Sequence, residues 1–454
     1  MTSKYLVKGG RVIDPANNAD EILDILIEGN IVAAIGRDLA GKEVTAGAEI
    51  IDASGKLVTP GLVDMHVHLR DPGRTDEETI ESGLRAAARG GFTSIACMSN
   101  TDPVIDSAPV VEYIKRQAAD VGFGNIFPIG SITSGLEGER LSEMGELVNV
   151  GAVAFSDDGK CVMNSQLMRR ALEYTKIWDK AVISHAEDGF LARGGQMHEG
   201  YYSTTLGLKG IPAAAEEVIV ARDIILAGLT GGRLHIAHLS TAGSLDLVKR
   251  AKEQGIRVTC EVTPHHLTLT DENLQGYNTN FKVNPPLRTA EDVAALRQGL
   301  RDGVIDAIAS DHAPHARHEK EVEFDFAPFG LIGLETTLAL ILTEIVDRDV
   351  IGLSEAIGKM SVGPAEILGI AKGRLGIGDD ADIVIIDSNV QHEVDPSKFE
   401  SKSINTPYTG WRLKGLVTDV FSAGKPVIKG KVFVDGSVEG SRVLDPWKEN
   451  HGYS

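Results

Sequence analysis

The chain has 454 residues, a length that suits one large domain and a smaller one. Of these residues 42% are hydrophobic and 24% charged, an ordinary composition for a globular protein. Its formal net charge of −20 argues against a nucleic-acid-binding surface, because a surface that attracts phosphate groups must be basic. No run approaches the roughly 18 uninterrupted apolar residues of a membrane helix, and the first residues lack the apolar segment of a secretory signal.

Three cysteines, Cys97, Cys161 and Cys260, lie far apart and form no CxxC pair. An odd number of scattered cysteines is typical of a protein that works in a reducing compartment. We therefore expect a cytoplasmic protein.

Both ends of the chain predict short strands. Residues 1–56 contain strand-like runs separated by Gly and Asn turns, and residues 369–454 show the same pattern of short strands and turns. Two β-rich ends that flank a larger unit most simply combine into one domain. We therefore predict a small β-sandwich built from both termini.

Residues 57–368 alternate between β-like runs and longer segments with helical periodicity. The β-like runs are LVTPGLVDMHVHL, TSIACMSN, NIFPIGSI, NVGAVAFSD, AVISHAED, RLHIAHLS, RVTCEVTPHH and DAIASDHAP. Eight strands that alternate with helices predict an α/β fold in which a parallel sheet closes into a (β/α)8 TIM barrel. An open doubly wound sheet is the alternative, but no GxGxxG follows the first strand.

The first predicted barrel strand ends in DMHVHLR, which places two histidines on one strand face. Side chains alternate along a strand, so the Cα atoms of His66 and His68 lie roughly 6.5 Å apart and both imidazoles can reach one ion. Taken alone, the pair could equally be two satisfied polar residues at a barrel mouth.

Other predicted strands end in residues of the same kind. Strand five ends in His185, strand six in His238, strand eight in Asp311, and strand four in a pair of aspartates. In a parallel barrel all strand C-termini meet at one face, where active sites are built. So many imidazoles and carboxylates in one mouth would be costly without cations between them. The set predicts a metal centre, and it suits zinc, with manganese, cobalt or iron as alternatives.

The fourth strand, in GAVAFSDDGK, ends in two adjacent aspartates, and we expect one of them to face the barrel interior. Small residues alternate with bulky ones along this run; the small ones share a face with Asp158, whereas Val153 and Phe155 share the other with Asp157. Small side chains can point into a barrel while bulky ones face the helices. The alternation therefore favours Asp158 as the inward ligand and leaves Asp157 as an outward carboxylate at a turn.

Several motifs carry a family resemblance, and they are spread over most of residues 58–340. They include PGLVDMHVHLRDPG, MSNTDPV, AFSDDGKCVMN, EVTPHHLTL, VNPPLR, SDHAPH and FAPFGLIGLET. On these residues the chain resembles the metal-dependent amidohydrolase superfamily and, within it, the class I bacterial dihydroorotases. HxHxR is a feature of the superfamily, whereas MSNTDPV, VNPPLR and SDHAPH are much more specific.

The resemblance implies a binuclear zinc centre, with two Zn²⁺ per chain bridged by Asp158 and a hydroxide. The implied ligands are His66, His68 and Asp311 for one ion and His185 and His238 for the other. Many relatives bridge their ions with a carboxylated lysine, so a carboxylated Lys160 is the alternative bridge here.

The implied activity is the reversible hydrolysis of the ring amide of (S)-dihydroorotate to N-carbamoyl-L-aspartate, a step of pyrimidine biosynthesis. Hydroxide generated at the metals attacks the ring carbonyl. Asp311, the implied catalytic base, carries the proton to the leaving nitrogen.

The resemblance also implies a set of substrate contacts: His68, Arg70, Asn100, Asn284, His315, Phe329 and Gly330. Arg70, Asn100 and His315 would hold the substrate carboxylate, and Asn284 with the backbone of Phe329 and Gly330 would bind the ring amides. For Arg70 the alternative is a surface ion pair with Asp71 or Glu77. For the two asparagines the alternative is a structural role in turns.

Other readings stay open on the sequence. A hydantoinase, dihydropyrimidinase or allantoinase would use the same scaffold, and an inactive dihydroorotase-like scaffold of aspartate carbamoyltransferase would have lost metal ligands, all six of which are present. A homodimer is a family-level expectation, and association with the carbamoyltransferase is compatible with an active enzyme. We expect supporting roles for His265 and His266, and a solvated loop or lid at residues 316–328.

Overall fold

The computed structural model describes residues 3–434 as a mixed α/β protein. In chain order its strands are β1 (Lys4–Asp14), β2 (Ala19–Glu28), β3 (Ile31–Gly36), β4 (Glu49–Asp52), β5 (Leu57–Pro60), β6 (Leu62–Val67), β7 (Phe92–Cys97), β8 (Asn125–Pro128), β9 (Phe155–Ser156), β10 (Ala181–Ser184), β11 (Met197–His198), β12 (Gly210–Ile211), β13 (Arg233–Ile236), β14 (Val258–Val262), β15 (Ala307–Ile308), β16 (Ile383–Glu393), β17 (Arg412–Ser422), β18 (Lys425–Lys429) and β19 (Val432–Phe433). Its α-helices are α1 (Ile80–Gly90), α2 (Ala108–Val121), α3 (Met144–Val150), α4 (Ser165–Thr175), α5 (Tyr201–Leu206), α6 (Ala214–Thr230), α7 (Ala242–Glu253), α8 (Pro264–Thr268), α9 (Ala290–Arg301), α10 (Arg317–Lys320), α11 (Thr337–Leu340), α12 (Leu353–Lys359) and α13 (Val362–Leu368).

Two parallel runs of strands form a closed barrel. β6, β7 and β8 make one run, and β9, β10, β13, β14 and β15 make the other. Bridges from Gly130 to Phe155 and from Val67 to His312 join the two runs at both edges. The ring of eight strands coincides with the eight β-like runs of the sequence, and the predicted TIM barrel is confirmed.

Helix α1 shows how local sequence builds the layer outside the barrel. Its first turn is closed by a capping box, because Thr79 Oγ1 accepts from the N–H of Ser82 and Ser82 Oγ accepts from the N–H of Thr79. Gly91 ends the helix in the left-handed region, at φ 87°. Between these signals, Ile80 and Leu84 bury their side chains in the same apolar core as β6 and β7. Helix and strand therefore share one core.

The two ends of the described chain meet in a single sheet, the terminal sheet. Its strand order is β19-β18-β17-β16-β5-β1-β2-β3, with β4 paired to β1. β5 joins the halves, since it runs parallel to β1 and antiparallel to β16. The predicted β-sandwich from both termini is confirmed, and the predicted strands after residue 434 lie outside the described residues.

One boundary differs from the expectation. The predicted barrel starts at residue 57, but within the described residues Leu57–Pro60 pairs with strands of the terminal sheet alone, which therefore continues to Pro60. The run LVTPGLV is largely apolar on both sides of Gly61, so its hydrophobicity does not show where the chain changes sheet. Gly61 marks it: a Cβ there would lie 2.0 Å from Thr93 Oγ1, so only glycine lets the chain pass so close to β7.

The terminal sheet packs on the barrel through one of its faces. Val384 and Ile386 of β16 and Val417 and Val420 of β17 belong to the apolar core that fills the barrel's helix layer. Alternate residues of the same strands, such as Ile383 and Ile385, belong to a separate core with β1 and β2. The sheet is thus buried on both faces, and its connections reach the barrel mouth.

Candidate active site

The six predicted metal ligands lie together at the C-terminal end of the barrel. In chain order they are His66 in β6, His68 just after it, Asp158 after β9, His185 after β10, His238 after β13 and Asp311 after β15. All six side chains are buried or nearly so. Three overlapping groups of them have ligand atoms within 4.8 Å of one another: His66, His238 and Asp311; His66, His68 and Asp158; and Asp158, His185 and His238.

Asp158 occupies the centre of this cluster. Its Oδ1 lies 3.2 Å from His185 Nδ1, 3.4 Å from His238 Nε2 and 3.5 Å from His66 Nε2. Its Oδ2 lies 3.4 Å from His68 Nε2. A carboxylate with imidazoles on both sides is in the position that a bridge between two cations requires.

The electrostatics of the cluster fit a cationic occupant. Burial alone would raise the pKa of Asp158, but the imidazoles of His66 and His185 outweigh it and hold the pKa well below its usual value. Burial would lower the pKa of His66, but the carboxylates of Asp158 and Asp311 raise it well above its usual value. Positive charge beside the carboxylates of Asp158 and Asp311 therefore stabilises them.

Unpartnered nitrogens point to the same conclusion. His66 Nε2 and His238 Nδ1 are buried and have no hydrogen-bond partner among the described residues. A buried polar atom without a partner is costly unless something else binds it. Four imidazoles and two carboxylates form a nitrogen and oxygen donor set that suits zinc and similar divalent ions, so these residues fit the implied metal.

Glu261 is a functional candidate that the sequence analysis missed. Its Oε1 lies 2.6 Å from His66 Nδ1 and its Oε2 lies 3.3 Å from His235 Nε2, with all three side chains fully buried. With a metal ion bound, His66 would donate from Nδ1 to Glu261 and offer its Nε2 lone pair to the ion. Burial would raise the pKa of Glu261, but His66 and His235 lower it to about 2. A carboxylate within the apolar strand VTCEV was the signal that could have found it.

Asp157 is not the outward turn residue that we expected. It is buried, and its Oδ1 accepts hydrogen bonds from the N–H groups of Ile132 at 2.7 Å and Thr133 at 2.9 Å. It therefore anchors the loop that follows β8. Lys160, the alternative bridge, is exposed and donates from Nζ to the carbonyl of Leu136 at 3.1 Å.

Asn100 contacts the cluster through the side chain of His68, one of the predicted metal ligands. Its Oδ1 lies 2.8 Å from His68 Nδ1, which therefore donates to it and leaves His68 Nε2 directed at Asp311, 3.1 Å away. The side chain of Asn100 thus orients a predicted ligand. A contact with substrate would use its remaining amide group.

Arg70 forms an ion pair with Glu77, one of the two partners considered from the sequence. Its Nε lies 3.2 Å from Glu77 Oε2 and donates to the carbonyl of Pro314 at 3.1 Å. The pair is buried rather than on the surface, since the side chain of Arg70 is 13% exposed and that of Glu77 is not exposed. Asp71 instead accepts from the hydroxyl of Tyr113.

His315 and Phe329 are in direct contact. His315 Nδ1 lies 3.0 Å from Glu77 Oε1, and its Nε2 lies 2.8 Å from the carbonyl oxygen of Phe329. Gly330 follows, but its N–H donates to Lys282 O and its carbonyl accepts from Lys320 Nζ. A substrate contact through Gly330 therefore requires an exchange of one of these partners.

Asn284 lies beside the cluster. Its Nδ2 is 3.4 Å from His185 Nε2, and its buried Oδ1 has no partner among the described residues. The next residue, Pro285, accepts at its carbonyl from His266 Nε2 at 3.0 Å. His266 thus supports the loop that carries Asn284, while His265 is buried nearby with a pKa that burial lowers to about 4.

The 316–328 loop contains the short helix α10. Lys320 donates from Nζ to the carbonyl of Pro328 at 2.9 Å, which connects α10 to the end of the loop. Whether the loop acts as a lid stays a prediction. Among residues 3–434, no helix has the length and apolar character needed to span a membrane.

Sequence comparisons identify similar proteins over nearly the whole chain. A family model described as dihydro-orotase-like matches residues 55–244. The chain is 56% identical over 429 residues to a dihydroorotase of Pelotomaculum thermopropionicum, covering 94% of this chain and 99% of that one. It is 53% identical to a dihydroorotase of Acetivibrio thermocellus, covering 94% and 100%.

Solved structures share the fold at lower identity. An L-hydantoinase (dihydropyrimidinase) from Arthrobacter aurescens has a TM-score of 0.85 at 27% identity, covering 96% of this chain and 98% of that one. A dihydropyrimidinase from Brevibacillus agri has a TM-score of 0.81 at 26% identity, covering 95% and 96%.

Proposed function

The chain belongs to the dihydroorotase family, and on that premise we propose that it interconverts (S)-dihydroorotate and N-carbamoyl-L-aspartate with two Zn²⁺ per chain. The observation that carries the proposal is the position of Asp158, whose two oxygens lie 3.2–3.5 Å from four imidazoles. Asp311 lies beside the same imidazoles, with Oδ1 3.1 Å from His68 Nε2.

The ligands divide into two sets around Asp158. In this proposal His66, His68 and Asp311 would hold one ion, and His185 and His238 would hold the other, with Asp158 contributing to both; two of the ligand groups in the structure contain Asp158. Divalent ions bound there supply a nucleophile from water at neutral pH and polarise the carbonyl that is attacked.

Asp311 moves the proton. The imidazoles of His66 and His68 outweigh the effect of burial and hold the pKa of Asp311 well below its usual value, so that its side chain is ionised. In hydrolysis it takes the proton of the attacking water and delivers it to the ring nitrogen as the C–N bond breaks. In ring closure it removes the proton of the carbamoyl nitrogen and returns it to the leaving water.

The substrate is held on the side of the mouth that carries positive charge. Arg70 binds the substrate carboxylate, which then competes with Glu77 for the guanidinium group. Asn100 and His315 bind the same carboxylate from neighbouring positions. Asn284, whose Oδ1 has no partner in the described part of the chain, binds the ring amide together with the backbone near Phe329. A hydantoin or dihydrouracil ring has no carboxylate for the first group to bind.

Turnover of a substrate panel tests the proposal. The zinc-loaded chain is supplied separately with dihydroorotate, hydantoin, dihydrouracil and allantoin, with Asp311→Ala as the control. We expect turnover of dihydroorotate alone and its loss in the variant. Turnover of one of the other rings without dihydroorotate would overturn the proposed substrate, and wild-type turnover by Asp311→Ala would overturn the proposed base.

The proposal extends to the setting of the enzyme. The scattered cysteines support a cytoplasmic location. The resemblance to the family supports a homodimer. Association with aspartate carbamoyltransferase is a further arrangement compatible with activity. Sedimentation of the chain alone and with the carbamoyltransferase distinguishes these states.

A further inference from the structure

The connection between β16 and β17 leaves the terminal sheet and lies on the barrel mouth. We call residues 400–406 the crossing segment. The N–H groups of Glu400 and Ser401 donate to the carboxyl group of Glu335 at 2.9 and 3.1 Å. The N–H of Lys402 donates to Glu78 Oε1 at 3.1 Å. Two acidic side chains from the barrel side thus fix the start of the segment.

Asn405, near the end of the crossing segment, is buried between two loops of the site. Its Nδ2 donates to the carbonyl of Ala313 at 3.1 Å and to the carbonyl of Gly330 at 3.2 Å. Its Oδ1 lies 3.4 Å from the N–H of His315, and its backbone carbonyl accepts from the N–H of Ile332 at 3.1 Å. One amide side chain therefore spans the loop after β15 and the loop at 328–332.

Ser403 adds a second tie to the same region. Its hydroxyl lies 2.8 Å from the carbonyl oxygen of Glu77 and 2.9 Å from that of His315. These two residues already contact each other, and Glu77 also pairs with Arg70. The crossing segment thus contacts the backbone of the residues that surround the proposed carboxylate site, and none of the contacts described for it reaches a metal ligand.

We infer that Asn405 is a positioning residue for substrate, which holds His315 and the Phe329–Gly330 pair at a fixed separation through three hydrogen bonds of one amide. The barrel strands position the metal ligands, whereas a segment of the terminal sheet positions the substrate end of the site. The inference rests on the proposed function for its kinetic consequence, but the tether itself exists without substrate.

The test uses the full chain and the substitution Asn405→Asp, which preserves size while it removes both donated hydrogen bonds. Ser403→Ala is the second variant, and Ile404→Ala is the matched control, because Ile404 is the exposed neighbour on the same segment. Each protein is measured for amide hydrogen exchange without substrate, for zinc content, for thermal unfolding, and for kcat and KM with dihydroorotate.

We expect the amide of Gly330 to exchange about tenfold faster in Asn405→Asp, because its loop loses the hydrogen bond at the Gly330 carbonyl, and KM to rise by a similar factor. The N–H of His315 keeps its acceptor, since aspartate retains an oxygen in the place of Asn405 Oδ1. Zinc content and kcat should change little, and Ile404→Ala should match the wild type. Unchanged exchange and unchanged KM in a folded Asn405→Asp would overturn the inference, as would a loss of kcat and zinc with KM unaltered. Absence of turnover in the unsubstituted chain would instead overturn the proposed function, since the exchange measurement needs no substrate.

Discussion

The carboxylate of Glu261 lies 2.6 Å from Nδ1 of His66, although 195 positions separate the two residues and both are fully buried. The contact sets which nitrogen of His66 carries the proton. It also connects the cluster to His235, the other partner of Glu261. We therefore expect the metal affinity of the site to depend on a strand that supplies none of the predicted ligands.

Glu261→Gln should weaken metal binding without removing a ligand. An amide replaces the acceptor with a weaker one, and loss of such a supporting carboxylate typically costs about 10–100-fold in metal affinity. Competition with a chromogenic chelator measures the affinity. Glu253→Gln, on an exposed part of α7, is the control. Equal affinities in the two variants would show that Glu261 does not tune His66.

Adjacent aspartates should give opposite results. Asp158→Asn is expected to lose bound metal and turnover, because its carboxylate lies among four imidazoles. Asp157→Asn should retain both but unfold more easily, by about 1–3 kcal/mol, since it disturbs the acceptor of the Ile132 and Thr133 N–H groups. Elemental analysis and denaturant unfolding of the two variants decide the matter, and metal loss in Asp157→Asn would contradict the assignment.

Arg70→Lys should raise KM for dihydroorotate by about tenfold while the metal content stays the same. A lysine keeps the charge but cannot offer the two parallel N–H donors that suit a carboxylate. Steady-state kinetics in both directions measure the effect, with Arg348→Lys, an exposed arginine paired within its own helical turn, as the control. A KM equal to that of the control would remove Arg70 from the substrate site.

Glu335 should make the protein less stable as the pH rises. Burial raises the pKa of Glu335 to about 8, and the negative charges of Glu400 and Glu78 act in the same direction. The N–H groups of Ser401 and Glu400, which donate to Glu335, partly oppose this shift. A folded-state pKa above the ordinary 4.5 means that the folded protein binds the extra proton between those values. The contribution of Glu335 is complete below about pH 4.5 and is lost as the pH rises through about 8.

Glu335→Gln removes this titration. The free energy of unfolding, measured in urea from pH 5 to pH 9, should therefore fall less steeply with pH in Glu335→Gln than in the wild type. Parallel pH profiles for the two proteins would contradict a protonated Glu335.

Much of the fold was predictable from the sequence, because periodicity and turn residues are local. The eight β-like runs, the β-rich ends and the alternation that selects Asp158 depend only on neighbours along the chain. The predicted ligands were found for the same reason: each lies at or shortly after the end of a strand, and parallel strands end at one face of a barrel.

Other features depended on contacts between distant parts of the chain. No local pattern distinguishes Leu57–Pro60 from the barrel strand that follows it, and only pairing with β1 and β16 assigns it to the terminal sheet. Asp157 looked like a turn residue because its partners, at Ile132 and Thr133, belong to another loop.

The sequence by itself determined the barrel, the β-rich ends and the residues that could bind metal, since strand period and residue type are properties of short segments. Only the tertiary structure decided what those residues contact: Glu261 behind His66, Glu77 beside Arg70, and Asn405 between two loops of the site. Burial makes an unpaired polar group costly, so each must find a partner wherever the closed barrel brings one, however far away it lies in the chain.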